Sequence, residues 1–428
     1  MKKCSFSHLK PNYLAHFLLL HRWFFLILKM TVEPKKVLIS GAGIVGLLTA
    51  QALKARGIDF IVFDRDCDVQ FRENAGWAIT LHWALDSFLS LLPPHLALEI
   101  YDAQVRKDFH LHDTGNFRYI DAATGKTVVA IPPSKRLRVR REQIRRTLLK
   151  GIEVQWNCKL TDISDTEDGV KVTCASGKTF EGDILLGCEG SNSATRKILC
   201  GEKGNLNYLP IRFCGAKVQM SKEETDDIAE RFDPLLFQGT VPTNETFFWF
   251  SMLATPEYTK QDDVYYAQVN LSWKYDQSEL FASPQDKAKA LVSHAEGLHP
   301  DLQALVLRAA HVPAQLVEIK LADWPMVEWD TKNSKILLMG DAAHAMTMYR
   351  GEAANHGITD VFELMKQMDQ YVIGGISWET VVDQYCQAVK SRAGEAVLLS
   401  RQACIDAHDI TKISANSTSP LLSMRKKK

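Results

Sequence analysis

Short apolar runs that stop on a glycine or an acid recur at widely spaced points of the chain. Val37 to Ser40, Phe60 to Phe63, the run opening DILLGCEG at Asp183, and Ile336 to Met339 all read as strands. A continuous apolar run closed by a turn residue is what a parallel strand covered on both faces looks like. Between the first two runs lies LLTAQALKARG, a helix ended by Gly57. Arg65 to Gly76 reads as a polar loop, and Trp77 to Leu92 carries helical spacing closed by Pro93 and Pro94. LRVRREQIRRTLLKGIEVQW, from Leu137 to Trp156, begins as a basic strand end and continues as a helix. Alternation of apolar and polar positions marks Gly169 to Cys174 and Lys178 to Glu181. The segment from Tyr208 to about Trp324 holds aromatic-rich alternating runs at Phe247 to Phe250 and Val264 to Ser272, which predicts a broad antiparallel sheet. After Met339 the chain turns at Gly340-Asp341 and starts a helix near Gly351, and Ser400 to Asp409 reads as a last helix.

This pattern predicts an α/β nucleotide-binding domain in two pieces around an inserted β-rich domain. The expected boundaries are an N-terminal hydrophobic extension over 1–30, a first piece over 31–205, the insert over 206–325, and a second piece with C-terminal helices over 326–428. A cleft between the two domains is a natural ligand site.

Composition narrows the class. A chain of 428 residues with 46% hydrophobic content buries a large core. Lys plus Arg and Asp plus Glu each total 51, so the formal charge is zero and nothing points to a nucleic-acid or acidic partner. Nine cysteines are scattered without a C-x-x-C pair, which fits a reducing, cytoplasmic compartment and neither a metal site nor a redox dithiol. Residues 13–28 are mostly aromatic and aliphatic, but His21-Arg22 interrupts them, and the remaining blocks are short against the ~20 residues of a spanning helix. We expect a dispensable extension ahead of Met30 or an upstream start assigned in error, with a peripheral membrane anchor as the alternative; no oligomeric state follows from the sequence.

Two stretches carry candidate chemistry. In GAGIVG, Gly41 permits a tight turn, Gly43 lets the backbone approach a pyrophosphate, and Gly46 lets helix and strand pack closely. Asp64, about 20 residues on, would accept bonds from ribose hydroxyls. Arg140, Arg141, Arg145 and Arg146 crowd one helix start; either a solvated helix face or a phosphate contact through Arg141 or Arg140 accounts for them. In KILLMGDAAHAMTMYRGEAANHGITD, Asp341 leaves the carboxyl end of a strand as an acceptor suited to a sugar-like hydroxyl. Gly351, Ala353, Ala354 and Gly357 would let a flat ligand meet the amide-bearing start of a helix. The plainer account of this stretch is a strand-to-helix turn with tight packing.

With GAGIVG, GCEGSNSATRK and GDAAHAMTMYRGEAANHGITD in this order, the chain from Met30 onward resembles the class A single-component flavoprotein monooxygenases. These are the p-hydroxybenzoate hydroxylase-like group, and within it the salicylate-hydroxylase-like enzymes of fungal natural-product pathways. The resemblance implies a Rossmann-like FAD-binding domain of the glutathione-reductase type with an inserted antiparallel substrate domain. It implies that Gly41, Gly43 and Gly46 cradle the FAD pyrophosphate, that Asp64 holds the ribose, and that Gly76 and Arg141 contact the cofactor. Asp341 would bind the ribityl chain. The turn from Gly351 to Asn355 would lie against the isoalloxazine, with Ala354 donating its amide. Cys188-Glu189-Gly190 and Arg196 would serve FAD and a transient NADPH. The chain departs from the family at Asp64 and Glu189, where the acids are exchanged, at Met348, where proline is common, and at Ala353, where glycine is usual.

The resemblance further implies that NADPH reduces FAD, that O2 is captured as the C4a-hydroperoxide, and that one oxygen passes to an electron-rich aromatic, polyketide, indole or alkene. Such chemistry requires a site that holds the substrate and excludes water. Arg212, in YLPIRFCGA, is the candidate for pairing with a substrate phenolate or carboxylate, against a surface strand arginine. His344 and His356 read as braces of their loop. Flavin halogenases would need a W-x-W-x-I-P signature and dithiol reductases a C-x-x-C, and neither is present. A catalytically silent dinucleotide-fold binding protein is the alternative from another class.

Overall fold

The computed structural model describes residues 32, 35–69, 77–132 and 134–423. The N-terminal extension, Gly76 and most of its loop lie outside the described residues.

Two sheets organise the molecule. The first is parallel, ordered β17 (Ile336–Leu338), β11 (Ile184–Gly187), β1 (Val37–Ser40), β2 (Phe60–Phe63), β7 (Val154–Gln155). Val37, Leu38, Ile39, Leu185 and Leu337 have no exposed surface, as central strands covered on both faces require. The helix α1 (Ile44–Ala55) follows β1 and buries Leu47, Leu48, Ala50 and Leu53 against the sheet. A small antiparallel sheet of β8 (Leu160–Asp165), β9 (Val170–Cys174) and β10 (Thr179–Gly182) caps one side, where Phe180 stacks on Phe63 at 5.3 Å.

The second large sheet has seven strands, ordered β16 (Val317–Asp323), β12 (Asn207–Met220), β15 (Tyr265–Lys274), β14 (Phe247–Ala254), β13 (Leu236–Thr240), β4 (Phe117–Asp121), β5 (Thr127–Ile131). All its pairings are antiparallel except β13 with β4. The helices over 284–294 and 300–310 contribute Leu291, Leu302 and Val306 to the cluster covering one face. On the other, Phe213, Phe247 and Tyr119 pack with Ala403, Cys404 and Leu421. The two-stranded pair β3 (Ala78–Leu81) and β6 (Leu137–Arg140) lies between the large sheets, and β6 runs into α2 (Arg141–Leu149).

Four differences from the sequence reading have physical causes. Trp77 to Leu92 is not one helix: Ala78 to Leu81 pair in register with Leu137 to Arg140, and only Leu85–Ser90 is helical. Its apolar spacing serves both elements. The β-rich sheet begins before residue 206, because the hairpin of β4 and β5 joins its edge before the chain returns through β6. The helix after Gly351 begins at Ala353, giving α3 (Ala353–Val372), because positive-φ Gly351 still belongs to the turn. Finally, the last helix is α4 (Trp378–Asp406), of which Ser400 to Asp406 is the end. No helix among the described residues is long and apolar enough to cross a membrane.

Candidate active site

The turns that leave the carboxyl ends of β1, β11 and β17 meet around a cavity of about 480 Å³. Gly41, Gly43, Asp64, Arg141, Arg145, Glu189, Asp341 and Ala354 line it. This is the ligand position expected of an open parallel sheet.

Each glycine of GAGIVG meets a different surface. Gly41 has φ +108°, and a Cβ on it would stand 2.6 Å from the Cys188 carbonyl oxygen. A Cβ on Gly46 would stand 2.0 Å from the Gly41 oxygen, whereas one on Gly43 would meet nothing within 4 Å. Gly43 therefore opens on the cavity and the other two close the packing beneath it. Gly43 is also the N-cap of α1, with no side-chain capping bond and no acid in the first turn. Among the described residues no side chain caps the donors of that turn, which borders the cavity, a fit for a phosphate.

The side chains around this turn are held firmly. Asp64 takes the Ala42 amide at 2.6 Å and the Asp66 amide at 2.8 Å, so its carboxylate braces the glycine turn while lining the cavity. On α2, Arg141 and Arg145 are four residues apart and face the cavity together. Arg145 donates to the Ala42 carbonyl at 2.9 Å. Arg140 instead lies 3.8 Å from the centre of the Tyr258 ring, and Arg146 pairs with Glu142 at the surface. Of the four crowded arginines, Arg141 and Arg145 thus line the cavity. A spacing of four on one helix was the signal for Arg145.

Glu189 accepts from Ser40 at 2.9 Å, from Ser193 at 2.7 Å, and from Thr195. Its carboxylate is spent on the β11 turn. Arg196 is fully buried and donates to the carbonyls of Gly204, Asp341 and Ala342, tying that turn to the turn after β17.

Asp341 lines the cavity, and among the described residues no hydrogen bond reaches its carboxylate. Burial raises its pKa, opposed by the fields of His344, Arg141 and Arg196. An acceptor in that state suits a ligand hydroxyl. Its backbone is fixed by Asp360, which takes the Gly340 amide at 2.8 Å, sits 2.7 Å from His344 Nε2, and pairs with Arg392. Burial alone would raise the Asp360 pKa, but His344 and Arg392 outweigh it and hold it at about 2. His356 accepts from Arg392 at 2.6 Å. Both histidines brace the turn.

A smaller pocket of about 70 Å³ adjoins this cavity. Three elements pass from one to the other. Trp77 and Ile79 line the cavity while Thr80 and His82 line the pocket; Arg141 lines the first and Arg138 the second; Ala353 and Ala354 line the first and Gly351 the second. Gln238 and Trp249 of the large sheet complete the pocket, with Tyr349 and Arg350. Gly351 has φ +65° and open space where a Cβ would point.

Two candidate residues have other jobs. Arg212 lines neither space: it is 4% exposed, lies between Tyr275 and Phe281 at 4.2 and 4.0 Å, and has Nε 3.0 Å from Glu318. Its charge is already matched, so pairing with a substrate is corrected to a structural ion pair. Asn355 is fully buried, accepting from the His82 amide at 2.8 Å and donating to the Thr80 carbonyl at 2.9 Å. Its side chain clips α3 to β3 and has none to spare for a cofactor. The pocket residues Arg138, Gln238 and Trp249 escaped the sequence reading, because strand partners remote in sequence bring them together.

A glycine-lined helix start, an acceptor at the end of a third strand and a second pocket across a shared turn fit a dinucleotide cofactor beside a space for a second molecule. The FAD binding domain family matches residues 103–400, and the chain belongs to it; it is an FAD-dependent monooxygenase. The chain is 38% identical over 420 residues to a probable FAD-dependent monooxygenase of Arthroderma benhamiae, covering 92% of this chain and 96% of that protein. It is 39% identical over 342 residues to FAD-dependent monooxygenase dbaB of Emericella nidulans, covering 78% and 86%. Among solved structures, Klebsiella pneumoniae HpxO complexed with FAD and uric acid superposes with a TM-score of 0.69 at 20% identity, covering 88% of this chain and 90% of that one.

Proposed function

We propose that this monooxygenase draws electrons from NAD(P)H and adds one atom of O2 to an electron-rich organic molecule held in the smaller pocket. In hydroxylation, substrate, O2, NAD(P)H and a proton give hydroxylated product, water and NAD(P)+; epoxidation of an alkene has the same balance. The observation that carries the reading is the adjacency of the two spaces across the turn at 351–354.

Bound FAD supplies electron transfer and oxygen activation. The chain's own residues position it. Gly43 leaves room for the pyrophosphate at the start of α1, Gly41 and Gly46 let the turn pack closely beneath it, and Arg141 and Arg145 supply positive charge beside it. Asp64 and Asp341 accept from its hydroxyls, and Gly351 and Ala354 let its ring system lie against the backbone. The large sheet walls one side of the pocket through Gln238 and Trp249, and excluding water there would protect reactive oxygen from wasteful decay.

The test is an anaerobic visible spectrum of the purified chain before and after NADPH, with and without candidate aromatic substrates. A flavin spectrum that bleaches much faster with one compound supports the reading. A colourless protein that takes up no FAD on reconstitution overturns it in favour of a silent binding protein.

A further inference from the structure

The described chain ends in a strap that is bonded to the 351–354 turn. Beyond α4 the segment 413–423 contains neither helix nor strand, and Ser414, Ala415, Asn416 and Thr418 are exposed. The strap is then pinned. Leu421 has no exposed surface and Leu422 is buried, and both belong to the apolar cluster that holds Phe213, Phe247 and Tyr349. Ser419 Oγ donates to Asp406 at the end of α4.

Arg350 links the strap to the turn. It is buried, and its Nε and Nη2 donate to the Glu352 carboxylate at 2.8 and 3.0 Å. Its Nη1 donates to the Pro420 carbonyl and to Ser423 Oγ, the latter at 2.8 Å. Between Arg350 and Glu352 stands Gly351 with φ +65°, where the chain turns so that the side chains flanking it meet. Glu352, also buried, is the N-cap of α3, and the next two residues, Ala353 and Ala354, line the larger cavity. One guanidinium therefore holds the strap with one nitrogen and the entry to α3 with the other two. The fork is planar and rigid, so its two grips are not independent. When the strap lifts, Nη1 loses both acceptors at a buried position, which is costly unless the side chain moves to find others. Such a move draws the fork away from Glu352 and loosens the turn. A turn that the ligand must first order binds it more weakly than one already in place.

We propose that the 413–423 strap is a latch coupled to FAD, with Arg350 as the positioning residue between them. A seated strap holds the 351–354 turn in the form that accepts the cofactor, and bound FAD holds the strap shut. Coupling between two sites is reciprocal, so the factor that the seated strap adds to FAD affinity equals the factor by which FAD disfavours opening. The strap is the partner able to move, because it follows an exposed stretch and is held by two leucines and a few hydrogen bonds. This inference rests on the reading above that the 351–354 turn lies against FAD.

The test is amide hydrogen exchange of the full chain with and without saturating FAD, read in peptides covering 346–358 and 413–423. FAD is expected to slow exchange in the strap about tenfold. Leu421→Asp puts a charge among apolar side chains and holds the strap open. By reciprocity it is expected to weaken FAD binding by the same factor, about tenfold, in equilibrium dialysis. Arg350→Lys keeps the charge beside Glu352 but not the fork, and is expected to take up FAD while losing most of the protection of the strap; Ser423→Ala is expected to lose about threefold of it. Two factors that disagree by more than about threefold, or undiminished protection in Arg350→Lys, overturn the proposal. Should Leu421→Asp or Arg350→Lys fail to fold, wild-type exchange and Ser423→Ala decide. FAD taken up with no slowing over 346–358 overturns the placement of the turn against FAD as well, whereas a slowed turn beside an unchanged strap overturns this inference alone.

Discussion

Replacing Asp360 with asparagine deletes a charge at a point with no access to water and leaves Arg392 without its counterion. Asp360 has no exposed surface and Arg392 is 8% exposed. The carboxylate accepts from the Gly340 amide at 2.8 Å, lies 2.7 Å from His344 Nε2, and pairs with Arg392. Breaking a buried ion pair from one side costs about 3–5 kcal/mol, because the remaining charge stays desolvated. An unfolding entropy of about 2.1 cal/mol/K per residue over 428 residues amounts to roughly 0.9 kcal/mol/K. The expected fall in Tm of the FAD-free protein is therefore about 3–6 °C.

Calorimetry of Asp360→Asn, Arg392→Met and the double variant separates the pair from its parts. The double variant removes both charges, so it is expected to regain about 2 kcal/mol or more relative to the sum of the single losses. Asparagine keeps one oxygen, so its NH2 must face either Arg392 or the Gly340 amide with His344; the anchor of the Asp341 turn is weakened, and FAD affinity is expected to fall about tenfold. Asp360→Asn melting within 1 °C of the wild type, or strict additivity of the single losses in the double variant, refutes the account; the 1 °C threshold corresponds to about 0.9 kcal/mol.

Gly43→Val and Gly46→Val separate ligand space from packing space. The first points into the cavity and is expected to leave the FAD-free Tm nearly unchanged while reducing FAD uptake at least tenfold by equilibrium dialysis; the second meets a carbonyl 2.0 Å away and is expected to prevent soluble expression. Arg212→Ala is expected to lower the Tm, by roughly 2–4 °C for a lost buried pair of about 2–4 kcal/mol, with substrate KM within twofold; a large KM rise with unchanged Tm would return Arg212 to the substrate site. Stability is also expected to fall with acid. Burial, with His344 and Arg392, holds His356 at about 3, and burial holds His408 at about 4. Both values lie below the ordinary imidazole value of about 6.5. The unfolded chain therefore binds protons first: the stabilisation is full above about pH 6.5 and lost below it, at up to about 2.7 kcal/mol per pH unit for the two. A Tm flat between pH 7.5 and 5.5 contradicts this.

The parallel sheet was legible in the sequence because each of its main strands is a short apolar run closed by a turn residue. The places of Gly41, Gly43 and Asp341 on the cavity were legible for the same reason, since they follow a strand end, and Gly46 was legible as a close-packing position in the helix that follows. Arg141 was singled out with Arg140 as the alternative; Arg145 was left in the crowded cluster, though its spacing of four from Arg141 could have found it. Trp77 to Leu92 misled because Ile79 and Leu81 pack as strand residues within a run whose later half is helical. The pocket was hidden for a deeper reason. Gln238 faces Trp249 only through the register of β13 on β14, and Arg138 reaches Ser251 across 113 positions of chain. Arg212, an arginine on an aromatic-rich strand, drew attention because sequence does not reveal that Glu318 matches its charge.

The buried charges also explain how two sheets are held in one arrangement. Hydrophobic clusters supply most of the attraction, but they are indifferent to small rotations. The ionic links are not. Arg56 grips Asp369 through two bonds of 2.6 and 3.0 Å, Arg136 holds Asp113 at 2.7 and 2.9 Å, and Arg401 holds Asp323 with two bonds of 2.6 Å. Arg350 grips Glu352 and also donates to the Pro420 carbonyl and Ser423, so the turn beside Gly351 is tied to the end of the described chain. Buried pairs of this kind add little net stability when compared with apolar replacements. Their contribution is directional: Arg350 with Glu352 fixes the residues on either side of Gly351, between the cavity and the pocket. The Asp360 and Arg392 double variant bears on this directly, since recovered stability with persistently weak FAD binding is what a positioning role requires.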